Sequence, residues 1–202
     1  MITILGTSHV SPDSVRTLAK LIKRKDCVCV ELDPIRYQAL RQKDTRSPPG
    51  IFPKILHSIQ QRLGRSTGVL PGEEMLTAVT YARGAGVPVY LIDQDIRVTL
   101  ARLNAVPLVE KLSLVVPLIV APHGFDVKRV PSKSMISTAL RGLCKAAPTM
   151  YSVLVTERNA YMASWIIQLS QQHRNVLVVV GAAHAKGLEK LLKDEHIKVR
   201  II

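Results

Sequence analysis

The sequence predicts an α/β fold with a mostly parallel central sheet flanked by helices and carrying a helical insertion. Three observations carry this expectation. Short apolar runs at 2–5, 27–32, 87–92 and 176–180, and a last strand-like segment at 197–202, alternate with segments whose apolar residues recur at three- and four-residue spacing. The runs at 27–32 and 176–180 are almost unbroken in apolar residues, as strands buried on both faces are. The strand, helix, strand order then calls for crossover connections, which are right-handed in nearly all such folds.

In chain order, Ile2-Thr3-Ile4-Leu5 is the first strand, and Ser11-Pro12 starts a helix with Ser as cap and Pro in the first turn. Val15, Leu18, Ala19 and Ile22 form its buried stripe, and Lys20, Lys23, Arg24 and Lys25 fill its last turn, where positive charge suits the helix dipole. Cys27–Leu32 is the second strand. Pro34 opens a helix through Ile35, Tyr37 and Leu40. Residues 43–70 turn polar and rich in Pro and Gly, with Ile55, Leu56, Ile59 and Leu63 marking a short helix in what reads as a helical and loop insertion. A helix from Gly72-Glu73-Glu74 runs to the breaker Gly84-Ala85-Gly86, Val87–Ile92 is the third strand, and a helix follows with Asp95 as its cap. Residues 105–148 read as a second insertion of helices and Pro-containing loops. Met150–Gln172 is helix-like, although Val153-Leu154-Val155 also suits a strand. Val176–Val180, a short helix through Leu188, Leu191 and Leu192, and Ile197–Ile202 complete one domain over 1–202.

Composition bounds the function. Twenty-eight Lys and Arg against 15 Asp and Glu leave a formal charge of +13, which favours an anionic partner. The basic residues are spread along the chain and no common nucleic-acid motif accompanies them, so nucleic-acid binding ranks last among the readings. Cys27 and Cys29 lie two apart in a strand, about 6–7 Å between backbones on one face, and read as core residues with no disulfide between them. The apolar stretch 105–121 is interrupted by Pro107, Glu110, Lys111 and Pro117 and falls short of a membrane span. With no transmembrane segment and a strand pattern at its start, the chain is expected in a reducing cytoplasm, with a homo-oligomer open.

The chemistry gathers at strand ends. Gly6-Thr7-Ser8-His9 and Gly181-Ala182-Ala183-His184 each follow an apolar run, and Glu31, Asp33 and Asp93 end two others. In a parallel sheet these ends share one edge, where such folds bind ligands. A histidine at a helix start sits in the positive end of the dipole and stays neutral, as metal ligation requires. His9, His184 and Glu31 therefore suit a divalent metal ion with a position left for water, and a further carboxylate suits a general base. The same histidines also fit turn caps bonded to nearby backbone. Arg36 and Arg158 suit either a clamp for a substrate carboxylate or ion pairs with Glu31, Asp33 or Glu157.

Gly6-Thr7-Ser8-His9-Val10-Ser11, Val30-Glu31-Leu32-Asp33-Pro34, Gly72-Glu73-Glu74, Leu91-Ile92-Asp93-Gln94-Asp95, Glu157-Arg158-Asn159 and Val180-Gly181-Ala182-Ala183-His184, in that order along nearly the whole chain, resemble the TraB/PrgY family. The resemblance implies a wider group with Tiki-like metalloproteases, erythromycin esterase and ChaN-like proteins. It implies a metal-dependent hydrolase acting on a peptide, another amide or an ester, or a protein that shuts down peptide pheromone signalling by sequestering the peptide. By position it implies His9, His184 and Glu31 at the metal; beside these, Glu31, Asp33 and Glu157 read as candidate catalytic carboxylates, and Arg36, Asp93, Arg158 and Asn159 as candidate substrate-binding or orienting groups. The family's usual basic residue between Asp93 and Asp95 is Gln94 here.

Overall fold

The computed structural model describes residues 1–7, 18–42, 73–113 and 133–202. The expectations placed on His9, the helix start at Ser11, the insertion at 43–70 and the stretch 114–132 lie outside the described residues.

Five strands form one sheet: β1 (Ile2–Thr7), β2 (Cys27–Val30), β3 (Val89–Leu91), β4 (Val176–Gly181) and β5 (Val199–Ile201), in the order β3-β2-β4-β1-β5. Every pairing is parallel, with Ile2 opposite both Val176 and Val199, and Val28 opposite both Val89 and Leu177. β4 enters last but one and lies between β1 and β2, which are consecutive in sequence. Strands are shorter than the apolar runs. Leu32 and Ile92 are fully buried just beyond the ends of β2 and β3, where the Ile92 N–H still donates to the Val30 carbonyl and the Asp93 N–H to the Leu32 carbonyl.

The two-residue period of the strands sorts side chains between two helical layers. On one face Cys27, Cys29, Val176, Val178 and Val180 pack with Ile2 and Ile4 against α6 (Glu157–Gln172) and α7 (Ala182–Asp194). α6 presents Met162, Ala163, Ile166 and Leu169, and α7 presents Ala185, Leu188 and Leu192, the stripes a helix of 3.6 residues per turn requires. On the other face Val28, Val30, Leu177 and Val179 meet Leu18, Ile22 and the stripe Met75, Ala78, Val79, Ala82 of α2 (Glu73–Gly84). Both cysteines are free and buried, as their strand position requires. Helix 18–22 ends before Lys23 and Arg24, so these lie in the turn after it.

The remaining helices are α1 (Pro34–Gln42), α3 (Ile96–Ala105), α4 (Lys133–Ala146) and α5 (Pro148–Tyr151), with residues 108–113 also helical. Asp95 caps α3, its side chain accepting from the Arg97 N–H at 2.8 Å. Leu103, Val106, Ala147, Met150 and Val153 form a small separate core. The ambiguous Val153-Leu154-Val155 is neither strand nor α-helix. Ser152–Thr156 is a π-helical turn leading directly into α6, with the Glu157 N–H bonded to the Ser152 carbonyl. A wider turn buries Val153 and Val155 together, which accounts for their strand-like spacing. No helix of the described residues is long and apolar enough to cross a membrane.

Candidate functional site at the carboxyl edge of the sheet

Glu31 continues the parity of Cys27 and Cys29, which directs it to the layer of α6 and α7. His184 stands in the first turn of α7, immediately after β4. Asp93 follows β3, and Arg158 and Asn159 lie in the first turn of α6. The strand order β3-β2-β4 therefore sets Asp93, Glu31 and His184 side by side along one rim. All three are buried, with Glu31 at 7% exposure and Asp93 and His184 at 4%.

Arg158 binds them together. Its Nη2 donates to Glu31 Oε1 at 2.5 Å and to Asp93 Oδ2 at 2.6 Å, and its Nε donates to Asp93 Oδ1 at 3.0 Å. The pairing with Asp93 is a two-pronged fork, the strongest geometry available to a guanidinium and a carboxylate. Nη1 reaches the Leu154 carbonyl at 3.2 Å, a contact supplied by the π-helical turn, and His184 Nε2 at 3.3 Å. Arg36 completes the cluster, its Nη1 donating to Asp93 Oδ2 at 2.5 Å. Glu31 Oε2 accepts from the Gly181 N–H at 2.7 Å, so one carboxylate links the ends of β2 and β4. Burial pushes the Asp93 carboxyl up, but the hydrogen bonds and charge of Arg158 with the charge of Arg36 outweigh it and hold the group below its ordinary range. Burial lowers Arg158, but Glu31 and Asp93 more than offset it, so the guanidinium stays charged.

The histidine tautomer follows from its neighbours. A guanidinium only donates, so Nε2 facing Arg158 Nη1 must carry the lone pair. The proton then sits on Nδ1, which donates to Asn159 Oδ1 at 2.7 Å. Burial pulls the His184 pKa down, reinforced by Arg158 and opposed by Glu31, and the net result keeps the ring neutral. Gly187 makes room for this orienting amide. A Cβ there would lie 2.3 Å from Asn159 Nδ2.

Asp33 has a separate setting at the start of α1. Its Oδ1 accepts from the Ile35 and Arg36 N–H groups at 2.9 and 3.2 Å, and its carbonyl accepts from Tyr37, which makes Asp33 the N-cap. Oδ2 is buried without a hydrogen bond, 3.9 Å from Arg36 Nε. Burial pushes this carboxyl above its ordinary value, against the pull of the Arg36 N–H and charge.

Glu157 is placed differently from its neighbours on α6. It pairs with Arg102 Nε at 3.2 Å and with Ser152, and makes no hydrogen bond or ion pair with Arg158, Asp93 or His184. Helix geometry turns Glu157 about 100° from Arg158, so the adjacent acid and base serve different surfaces.

A divalent ion can be tested against this arrangement. Glu31 Oε1 and His184 Nε2 are 3.3 Å apart, about the edge of a tetrahedron around an ion with bonds of about 2 Å. Both atoms carry lone pairs, and Arg158 covers both. Among the described residues no group of three or more His, Cys, Asp or Glu side chains is set to hold a metal ion. The pair thus fits two corners of an ion site, with Arg158 as the cation that would have to turn away.

A parallel α/β sandwich with an imidazole, carboxylates and arginines closed into one buried cluster at its carboxyl edge defines a rim-site protein of the α/β class. A profile of the TraB/PrgY/gumN family matches residues 1–201. The chain belongs to that family. It is 32% identical over 216 residues to an uncharacterized protein of Methanocaldococcus jannaschii, covering 95% of this chain and 53% of the relative. It is 26% and 25% identical over 234 residues to TraB domain-containing proteins of Bos taurus and Homo sapiens, covering 93% of this chain and 61% of each relative. The chain therefore spans between about half and three-fifths of the length of these relatives.

Proposed function

We infer that the chain is a metal-dependent hydrolase of peptide-like amide or ester bonds, with His184, Glu31 and His9 holding a divalent ion at the sheet's carboxyl edge. The observation that carries this reading is the 3.3 Å approach of Glu31 Oε1 to His184 Nε2, with the imidazole neutral and its proton held on Nδ1 by Asn159, which leaves Nε2 unprotonated. A bound ion would supply Lewis acidity and a water of lowered pKa. The remaining work falls to the chain's own groups. Arg36 and Arg158 bring positive charge for a carbonyl oxygen or carboxylate of the substrate. Asp33, whose carboxyl burial pushes above its ordinary value, is the acid best suited to hold and release a proton. Asn159 keeps the ring of His184 in one tautomer.

A second reading is favoured by the arginine cover itself. With Arg158 on both donors, the rim suits capture of a peptide without turnover, through its guanidinium groups and buried carboxylates. One experiment separates the two. Metal content is measured by mass spectrometry and hydrolysis is screened with amide and ester substrates, for the parent, His9→Ala, His184→Ala and the double variant. Stoichiometric metal and hydrolysis, both lost in each single variant, support the hydrolase. No metal and no hydrolysis above the double variant sinks it, and tight peptide binding without turnover would then favour capture.

A further inference from the structure

A cavity of about 450 Å³ lies beside the rim, outside the charged cluster. Its size falls within the range of about 300–1,000 Å³ that takes a small organic ligand. Gly6 of β1, Ile201 of β5 and Ala182–Ala183 at the start of α7 place it at the carboxyl edge, and Ile136 and Leu140 of α4 form the opposite wall. The lining is mostly aliphatic, with Ser137, Tyr151 and Asn159 as its uncharged polar side chains, so an apolar chain finds apolar contacts over most of it. Two lining residues, Arg141 and Lys186, are exposed and so stand at its mouth. Among the described residues neither is ion-paired with a carboxylate, and Arg141 spends one donor on Thr138 at 3.2 Å. The acid in the lining, Glu189, is taken by Lys193 at 2.8 Å. The mouth is therefore cationic over an apolar interior.

We propose that this cavity binds an anionic amphiphile, an aliphatic chain of medium length in the interior with its carboxylate or other anionic end held by Arg141 and Lys186. Apolar burial holds the chain and the paired cations select the anion. The cavity shares Asn159 with the charged cluster, so the bound chain lies directly behind the residue that orients His184. Binding requires neither metal nor turnover, and its test is independent of both.

Cys144 gives a direct readout. It lines the cavity and is exposed, whereas Cys27 and Cys29 are fully buried, so a maleimide reports on one thiol. The full chain is labelled with and without octanoate, acetate and octanol, and the result is read as the ratio of rates. Saturating octanoate is expected to slow labelling at least tenfold and acetate to leave it unchanged. Arg141→Glu with Lys186→Glu should raise the octanoate needed about tenfold, equivalent to about 1.4 kcal/mol, with octanol unaffected. Leu140→Trp, or Ile136→Phe if the first variant fails to fold by circular dichroism, should abolish protection by filling the interior. Unchanged labelling with octanoate up to its solubility limit overturns the proposal. So does protection by octanol equal to that by octanoate, or protection that survives the filled cavity.

Discussion

Arg158→Ala is the perturbation with the largest effect worked from the geometry. Arg158 is partly buried, its side chain 13% exposed, and it neutralises Glu31 and Asp93, whose side chains are 9% and 0% exposed. Removing one partner of such a pair leaves an uncompensated buried charge and costs about 3–5 kcal/mol. Asp93 keeps Arg36 and the Gln94 N–H, and Glu31 keeps the Gly181 N–H. The loss should therefore sit near the lower end, about 3 kcal/mol, or a fall of about 1.5 M in the urea midpoint for a slope of about 2 kcal/mol/M. Urea unfolding followed by far-UV circular dichroism at pH 7 measures it. The pH dependence has a definite sign. Because the folded Asp93 carboxyl lies below its ordinary value, its stabilisation is complete above the unfolded value near 4 and is lost as pH falls through the folded value. The gap between parent and variant should accordingly narrow on acidification through that window. A midpoint shift below about 0.5 M at pH 7, or a gap that widens in acid, would refute the reasoning.

Gly187→Ala should displace Asn159, since the new Cβ would meet Nδ2 at 2.3 Å, and should cost about 1–3 kcal/mol. Nitrogen NMR of the His184 ring is expected to show the Nδ1–H form in the parent and a mixture of tautomers in the variant; an unchanged spectrum would show that Asn159 does not set the tautomer. At the cap of α1, Asp33→Asn should be tolerated within about 0.5 kcal/mol while Asp33→Ala loses about 1–2 kcal/mol, because Asn accepts the same two N–H groups. The raised Asp33 carboxyl means that the folded chain takes up this proton before the unfolded chain does as pH falls. The parent should gain stability over Asp33→Asn between the folded and unfolded values, and urea titrations across pH 4–7 test the sign.

Much of the rim was legible because strand ends are legible. Glu31 ends an apolar run whose parity alone assigns its face, and Asp93 ends another. Asp33 reads in the sequence only as a rim carboxylate, and its capping of α1 emerges from the structure, where it accepts from the Ile35 and Arg36 N–H groups. Arg158 as the hub was not legible. Glu157 and Arg158 are adjacent, and which of them turns inward depends on the register of α6, set upstream by a π-helical turn with no distinctive sequence mark. The insertion of β4 between β1 and β2 was equally hidden, since every buried strand here has similar composition and the order is decided by tertiary packing. Gly187 within a helix shows only as a weak position in the pattern. Its purpose appears once Asn159 is seen against it.

The position of β4 has a consequence for biogenesis. β1 and β2 are made early, yet each pairs with a strand that begins at Val176, and the contacts that lock this centre span 127 residues from Glu31 to Arg158 and 173 from Thr7 to Val180. A nascent chain emerging from the ribosome thus holds two apolar strands with open inner edges until residues 176–181 have been synthesised. Such edges invite pairing with other chains, so the interval before β4 arrives is the period of greatest exposure to aggregation. When β4 slots in, it joins β1 to β2 and brings Gly181 to Glu31, so the centre of the sheet and this part of the rim form together.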